Sequence, residues 1–231
     1  LFAPNNGDLD FEVRGPDLRT LGEVFGLSNL VSAPYELDGA LSMRGGRLEL
    51  RQLVSGFGED RAQVTGSIGA WPALTDTEVH LRYEGPDISV WGPALGIEGL
   101  QQRPFEVNAR FSNLESEAIA TDSELRVGPH RLAVVGSLGT PPEFMDAAVD
   151  IDLSIADLGS IALLPGHENL PSEALTANGG LHRRGGGVRF DQLRVDMGGD
   201  QVLLDGTLAL AEGFVGSDLR ATFDLESLGR R

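Results

Sequence analysis

Between Tyr35 and Tyr83 the chain alternates apolar and polar residues in four short runs. Tyr35, Leu37, Gly39, Leu41 and Met43 alternate with Glu36, Asp38, Ala40 and Ser42. Leu48 and Leu50 alternate with Arg47, Glu49 and Arg51. Ala62, Val64, Gly66 and Ile68 alternate with Arg61, Gln63, Thr65 and Ser67, and Val79, Leu81 and Tyr83 with Glu78, His80 and Arg82. A period of two marks a strand with one apolar and one polar face. Gly-rich links such as Arg44-Gly45-Gly46-Arg47 and Arg184-Gly185-Gly186-Gly187 separate the runs at hairpin distance. Links this short cannot make a parallel crossover, so the pattern predicts an antiparallel meander.

The pattern then returns at a stride of 70 residues, without gaps. VTGSIG at 64–69 becomes VVGSLG at 134–139 and LDGTLA at 204–209. Leu9, Val79, Val149 and Leu219 form one column; Phe11, Leu81, Ile151 and Ala221 a second; Val13, Tyr83, Leu153 and Phe223 a third. Residues 15–84, 85–154 and 155–224 read as three whole repeats in one continuous array. Residues 1–14 read as the end of a preceding repeat and 225–231 as the start of a following one, so further repeats of the same chain are expected at both ends. Each repeat also carries one segment off the two-fold rhythm, opening at Asp17, Asp87 or Asp157, with Ser227 next in the series. Leu18, Leu21 and Phe25 stand at helical spacing, as do Ile88 and Trp91, and Leu158, Ile161 and Leu164. An Asp before such a segment accepts hydrogen bonds from its first free amides, which predicts a short helix or ordered loop once per four strands.

A meander with one polar face has to hide the other, and no long amphipathic helix is available to cover it. A closed barrel or sandwich would do so, as would a long trough with the apolar face inside. Identical units apply the same twist each time, which favours the trough. The expected fold is therefore mostly β: tandem repeats of about four antiparallel strands plus a short helix or loop, in an elongated curled sheet forming an open groove. At ~4.8 Å per strand, each repeat advances ~19 Å. The parity of the strands assigns the lining to Leu37, Leu41, Val64, Ile68, Val79, Leu81, Tyr83, Val107, Phe111, Val134, Leu138, Val149, Ile151, Leu153, Leu181, Leu204, Leu208 and Phe223. Gly66, Gly136 and Gly206 fall on the same parity. Mid-strand glycine points to a bend of the sheet or to room for a ligand, and with Gly39, Ala109 and Gly179 the interior positions lean toward room.

Composition narrows the function. With 18 basic residues against 35 acidic, the net charge of −17 disfavours nucleic acid and anionic lipid surfaces. All the basic residues are Arg. There is no cysteine, so disulfides, thiolate metal sites and a Cys nucleophile are excluded. The 31 glycines and 12 prolines accord with many turns. His80, His130, His167 and His182 do not recur at the repeat offset and make no metal-binding spacing. Asp150 and Asp152 alternate with Val149 and Ile151 and are expected to face solvent, away from any pocket. Ser67 and Ser137 follow the repeated glycines without a nucleophile elbow around them. No catalytic residue, metal or cofactor is assigned.

The phrases GPDLRTLGEVFGL, PYELDGALSMRGGRLELRQL, AQVTGSIG and EVHLRYEGPDI, with their recurrences over essentially the whole chain, resemble the AsmA family of bacterial envelope proteins, including its TamB-like members. That resemblance implies a periplasmic β-groove, in a longer parent anchored in the inner membrane, that shields the acyl chains of phospholipid or another lipid moving between inner and outer membranes. It makes envelope membrane proteins candidate partners. The strict 70-residue spacing departs from the simple family pattern, and the anchor is not part of this sequence. The alternative is a structural or adhesive β-solenoid spacer with a self-filled core.

Overall fold

The computed structural model describes residues 6–20, 31–69, 75–92, 100–113, 118–139, 146–160, 171–210 and 215–225. Thirteen strands form one sheet in chain order. They are β1 (Asn6–Gly15), β2 (Tyr35–Arg44), β3 (Arg47–Phe57), β4 (Asp60–Ile68), β5 (Glu78–Gly85), β6 (Phe105–Ser112), β7 (Ala120–Val127), β8 (His130–Ser137), β9 (Ala148–Ile155), β10 (Leu175–Arg184), β11 (Gly187–Met197), β12 (Asp200–Ala209) and β13 (Asp218–Asp224). Every neighbouring pair is antiparallel. Strand starts recur at the sequence stride: Tyr35, Phe105 and Leu175; Asp60, His130 and Asp200; Glu78, Ala148 and Asp218. The junction between repeats keeps its register too, with Gly15 opposite Tyr35, Gly85 opposite Phe105 and Ile155 opposite Leu175.

The sheet is open. β1 pairs only with β2 and β13 only with β12, so neither a closed barrel nor a second layer forms among the described residues. Twelve inter-strand spacings of ~4.8 Å make the sheet ~58 Å across. The accessible surface of the chain is 14775 Å², against about 10,000 Å² for a compact chain of this mass. Extensive contacts join only strands adjacent in sequence. Each described repeat is thus stabilised by its own hairpins and by its neighbours, as in a one-dimensional array.

Three aspartates initiate the off-rhythm segments as the sequence predicts. Asp17 Oδ1 accepts from the Arg19 amide at 3.0 Å, Asp87 Oδ1 from the Ser89 amide at 2.9 Å, and Asp157 Oδ1 from the Gly159 amide at 3.0 Å. The turns that follow are short: residues 18–20 are helical, and Ile88–Trp91 and Leu158–Ser160 are 3-10 turns. Leu21, Phe25, Ile161, Leu164, His167 and Ser227 lie outside the described residues.

The second strand of the repeat is longer than its simple alternation suggests. In β3, Arg51 and Gln52 together stand opposite Thr65, between the pairs Leu50–Gly66 and Leu53–Val64. In β11, Asp191 and Gln192 stand opposite Asp205, and Gln192 takes φ +48°. Such a bulge inserts one extra residue, so the side-chain parity changes across it. β7 pairs with β8 without interruption.

The repeated glycines correct one expectation. Gly66, Gly136 and Gly206 have φ of +127°, +146° and +121°, a region that side chains disfavour. A Cβ at each would overlap the carbonyl oxygen of Glu78, Ala148 or Asp218 on the next strand. At Gly179 it would meet the Leu193 backbone, and at Gly39 the Phe11 ring at 2.7 Å. These positions hold no spare room, because backbone or a neighbouring side chain already fills it. Glycine is required here by close approach within the sheet.

Candidate functional site

Cross-strand register sorts the apolar face into rows. One runs Leu9, Leu41, Leu50, Gly66, Val79, Phe111, Thr121, Gly136, Val149, Leu181, Phe190, Gly206, Leu219. The next carries Phe11, Leu53, Val64, Leu81, Ala109, Val134, Ile151 and Leu204. A third carries Val13, Leu37, Tyr83, Val107, Leu125, Leu132, Leu153 and Phe223. Ile68 and Leu208 extend the face by one step, opposite Leu48 and Val188. Leu138 follows β8, where its amide donates to the Ile119 carbonyl at 2.8 Å. The parity of the sequence thus brings the predicted lining residues onto one face.

Sequence alternation misses Leu53 and Leu193 as members of this face, because each follows a bulge. The signal was present: Leu50 and Leu53, and Phe190 and Leu193, are spaced by three at the same place in two repeats. Leu50 and Leu193 are among its best-covered members, each 8% exposed. Most of the face is only half-buried, and among the described residues no large side chain falls below 2% exposure. At the ends, Leu9 is 56% and Phe223 61% exposed. Polar groups that interrupt the rows satisfy one another: Thr121 Oγ1 and Ser123 Oγ lie 2.7 Å apart.

One rim of the face is built by the turn before the third strand in the first two repeats. Asp60 accepts from Tyr83 Oη and from Trp91 Nε1, both at 2.7 Å. Around it, the Tyr83 ring meets those of Phe57, Trp91 and Phe105 edge-on. Burial, then the Asp60 carboxylate, raises the Tyr83 phenol above its ordinary pKa. Seventy residues on, His130 replaces Asp60. Its Nδ1 accepts from the Ala156 amide at 3.2 Å, which puts the proton on Nε2, 3.3 Å from Ser160 Oγ. Ser160 Oγ in turn donates to the Asp157 carbonyl at 2.7 Å. Burial, followed by the nearby Arg103 charge, lowers the His130 pKa. Both residues therefore tie a strand turn to the off-rhythm segment of the next repeat.

The opposite face is polar and laced with ion pairs. Arg14 pairs with Glu12 and Glu36, Arg44 with Asp8, Arg51 with Asp10, Arg82 with Glu84 and Glu106, and Arg110 with Glu78. Arg126 pairs with Glu124, Arg131 with Glu124 and Asp152, and Arg194 with Asp196. Asp150 and Asp152 are exposed there, as their parity predicts. Ion pairs this exposed are screened by water and stabilise little, so their main effect is to keep this face in water.

No family model, curated protein or solved structure matches the chain. Among the described residues, no three His, Asp or Glu side chains converge as metal ligands, and no helix is long and apolar enough to cross a membrane. A face of ~58 Å by ~26 Å offers roughly 1,500 Å², well beyond the ~300–600 Å² of the largest apolar patch on an ordinary monomer.

Proposed function

We propose that this chain is a segment of a bridge-like lipid-transfer protein of the bacterial envelope, whose apolar sheet face shields the acyl chains of phospholipid between inner and outer membranes. The observation that carries the reading is the continuity of the apolar rows across thirteen strands, with no second layer over them among the described residues. A strand of 8–10 residues is ~30 Å long, and an acyl chain of ~15 Å, half a bilayer core, fits along it. The resemblance to the AsmA family supports the same reading and the periplasmic setting. Lipid extraction from the purified chain, followed by mass spectrometry, should recover phospholipid. The delipidated chain should then bind an apolar dye. A chain that carries no lipid and ignores the dye refutes the proposal.

A spacer with a self-filled core is the second reading. What favours it is local: the Phe11 ring covers Gly39, and the aromatic rings around Asp60 fill part of one rim. It predicts no lipid and no dye binding.

A further inference from the structure

Arginine stands mostly on the polar face. Eight arginines there have a carboxylate within ion-pair distance, while Arg47, Arg61, Arg189 and Arg220 on the same face have none among the described residues. Two share the parity of the apolar rows, and among the described residues neither is paired with a carboxylate. Arg103 precedes Phe105 and Val107 at the rim that holds His130. Its guanidinium donates only to the Gln101 side chain, at 3.0 Å, and its stem lies over the Gly128 turn. Arg183 follows Leu181 on β10 and stands opposite Val188, at the other rim, exposed. Its backbone amide donates to the Ala147 carbonyl. What sets Arg103 and Arg183 apart is a positive charge on the parity of the apolar rows, one at each rim, with no carboxylate beside it.

From this we infer that Arg103 and Arg183 are rim sites for the phosphate headgroup of a lipid whose acyl chains lie on the apolar face. The inference rests on the lipid-groove reading and gives it a headgroup class. The two arginine rows are ten residues apart along the strand direction, ~33 Å. An acyl chain of ~15 Å entering from either rim therefore ends near mid-strand. A guanidinium offers a planar fork that bonds phosphate oxygens in pairs, and such charge-assisted bonds are about twice as strong as neutral ones. Neither arginine would have to abandon an ion pair to bind one. The acidic excess of the opposite face lies behind the sheet, where it does not compete with the phosphate for either guanidinium.

The test measures binding of fluorescent phosphatidylglycerol and of diacylglycerol with the same chains, both presented from cyclodextrin to the delipidated full chain. The unaltered protein should hold phosphatidylglycerol at least about fivefold tighter, a modest return for charge-assisted bonds to phosphate. Arg103→Gln/Arg183→Gln should bring the two lipids within about twofold while leaving diacylglycerol affinity unchanged. Arg61→Gln, an exposed polar-face arginine without an ion pair, should keep the preference. Should the double variant fail to fold, each single variant must lower the preference on its own. Millimolar inorganic phosphate should not displace the lipid, and displacement would overturn the lipid headgroup as its source. Equal binding of both lipids by the unaltered protein, or a preference that survives in the folded double variant, overturns the headgroup sites and leaves the groove standing. Binding of neither lipid overturns the groove reading and this inference with it.

Discussion

Ile151→Asp separates an open apolar face from a closed core. Ile151 lies in β9, with Val134 and Gly179 opposite it on the two neighbouring strands, and is half-buried. Full burial of such a side chain contributes about 2–3 kcal/mol, so the loss here is about half that. The poorer strand preference of Asp adds up to about 1 kcal/mol. The carboxylate itself reaches water from a half-exposed position and escapes the several kcal/mol that an unpaired buried charge costs. The total is about 2 kcal/mol, or a fall of roughly 4–8 °C in Tm for a chain of this size. For an acyl chain lying on that row, a charge costs about 3 kcal/mol, a weakening of about 150-fold. Asp150→Ala, exposed on the opposite face, should change neither quantity. Thermal melting and photocrosslinking to phospholipid on the same preparations read both effects. Global unfolding of Ile151→Asp, or unchanged crosslinking in the folded variant, would refute the reasoning.

Gly66→Ala forces a Cβ onto the Glu78 carbonyl at φ +127° and should cost about 3 kcal/mol in denaturant unfolding, whereas Gly7→Ala, with nothing within 4 Å, should stay within about 0.5 kcal/mol. Asp60→Ala leaves Tyr83 Oη and Trp91 Nε1 without their acceptor; in a Trp71→Phe background, Trp91 emission should shift to the red and stability fall by about 3 kcal/mol. The folded pKa of His130 is lowered from 6.5, so on acidification the unfolded chain takes up the proton first and stability is lost as pH falls below about 6.5. His130→Asn should flatten that loss between pH 7 and pH 5. The shifted carboxylates Asp17, Glu78, Glu124 and Asp196, whose ordinary pKa values are 3.8 for Asp and 4.5 for Glu, are lowered further by their arginine partners and act below that window. An equal acid loss in both proteins would refute the role of the histidine.

Much of this fold is legible in the sequence because one stride governs it. Alternation around Leu37, Val64 and Leu81 fixes the face of each strand, and the stride carries that assignment to Val107, Val134 and Ile151. Asp17, Asp87 and Asp157 mark the off-rhythm segments because their carboxylates have a local task, accepting an amide two residues on. What alternation cannot show is a bulge, since one extra residue shifts parity without changing composition; hence Leu53 and Leu193 were missed. Of the two readings of the repeated glycines, a bend or room for a ligand, the room fails for a related reason. A missing side chain looks like room along the chain, yet the Glu78 carbonyl that occupies it belongs to another strand. The rim residue at the head of the third strand was equally hidden, because Asp60 and His130 differ in chemistry while performing one structural task.

The constant junction register has an architectural consequence. Gly15–Tyr35, Gly85–Phe105 and Ile155–Leu175 are the same coupling used three times. A tandem duplication or loss of one 70-residue unit therefore needs no newly designed contact at its joints. Each unit lengthens or shortens the molecule by the same increment of ~19 Å. The gene encodes a modular ruler: the length of the sheet can be reset by unequal recombination, in fixed steps, while the pattern of faces along it stays the same.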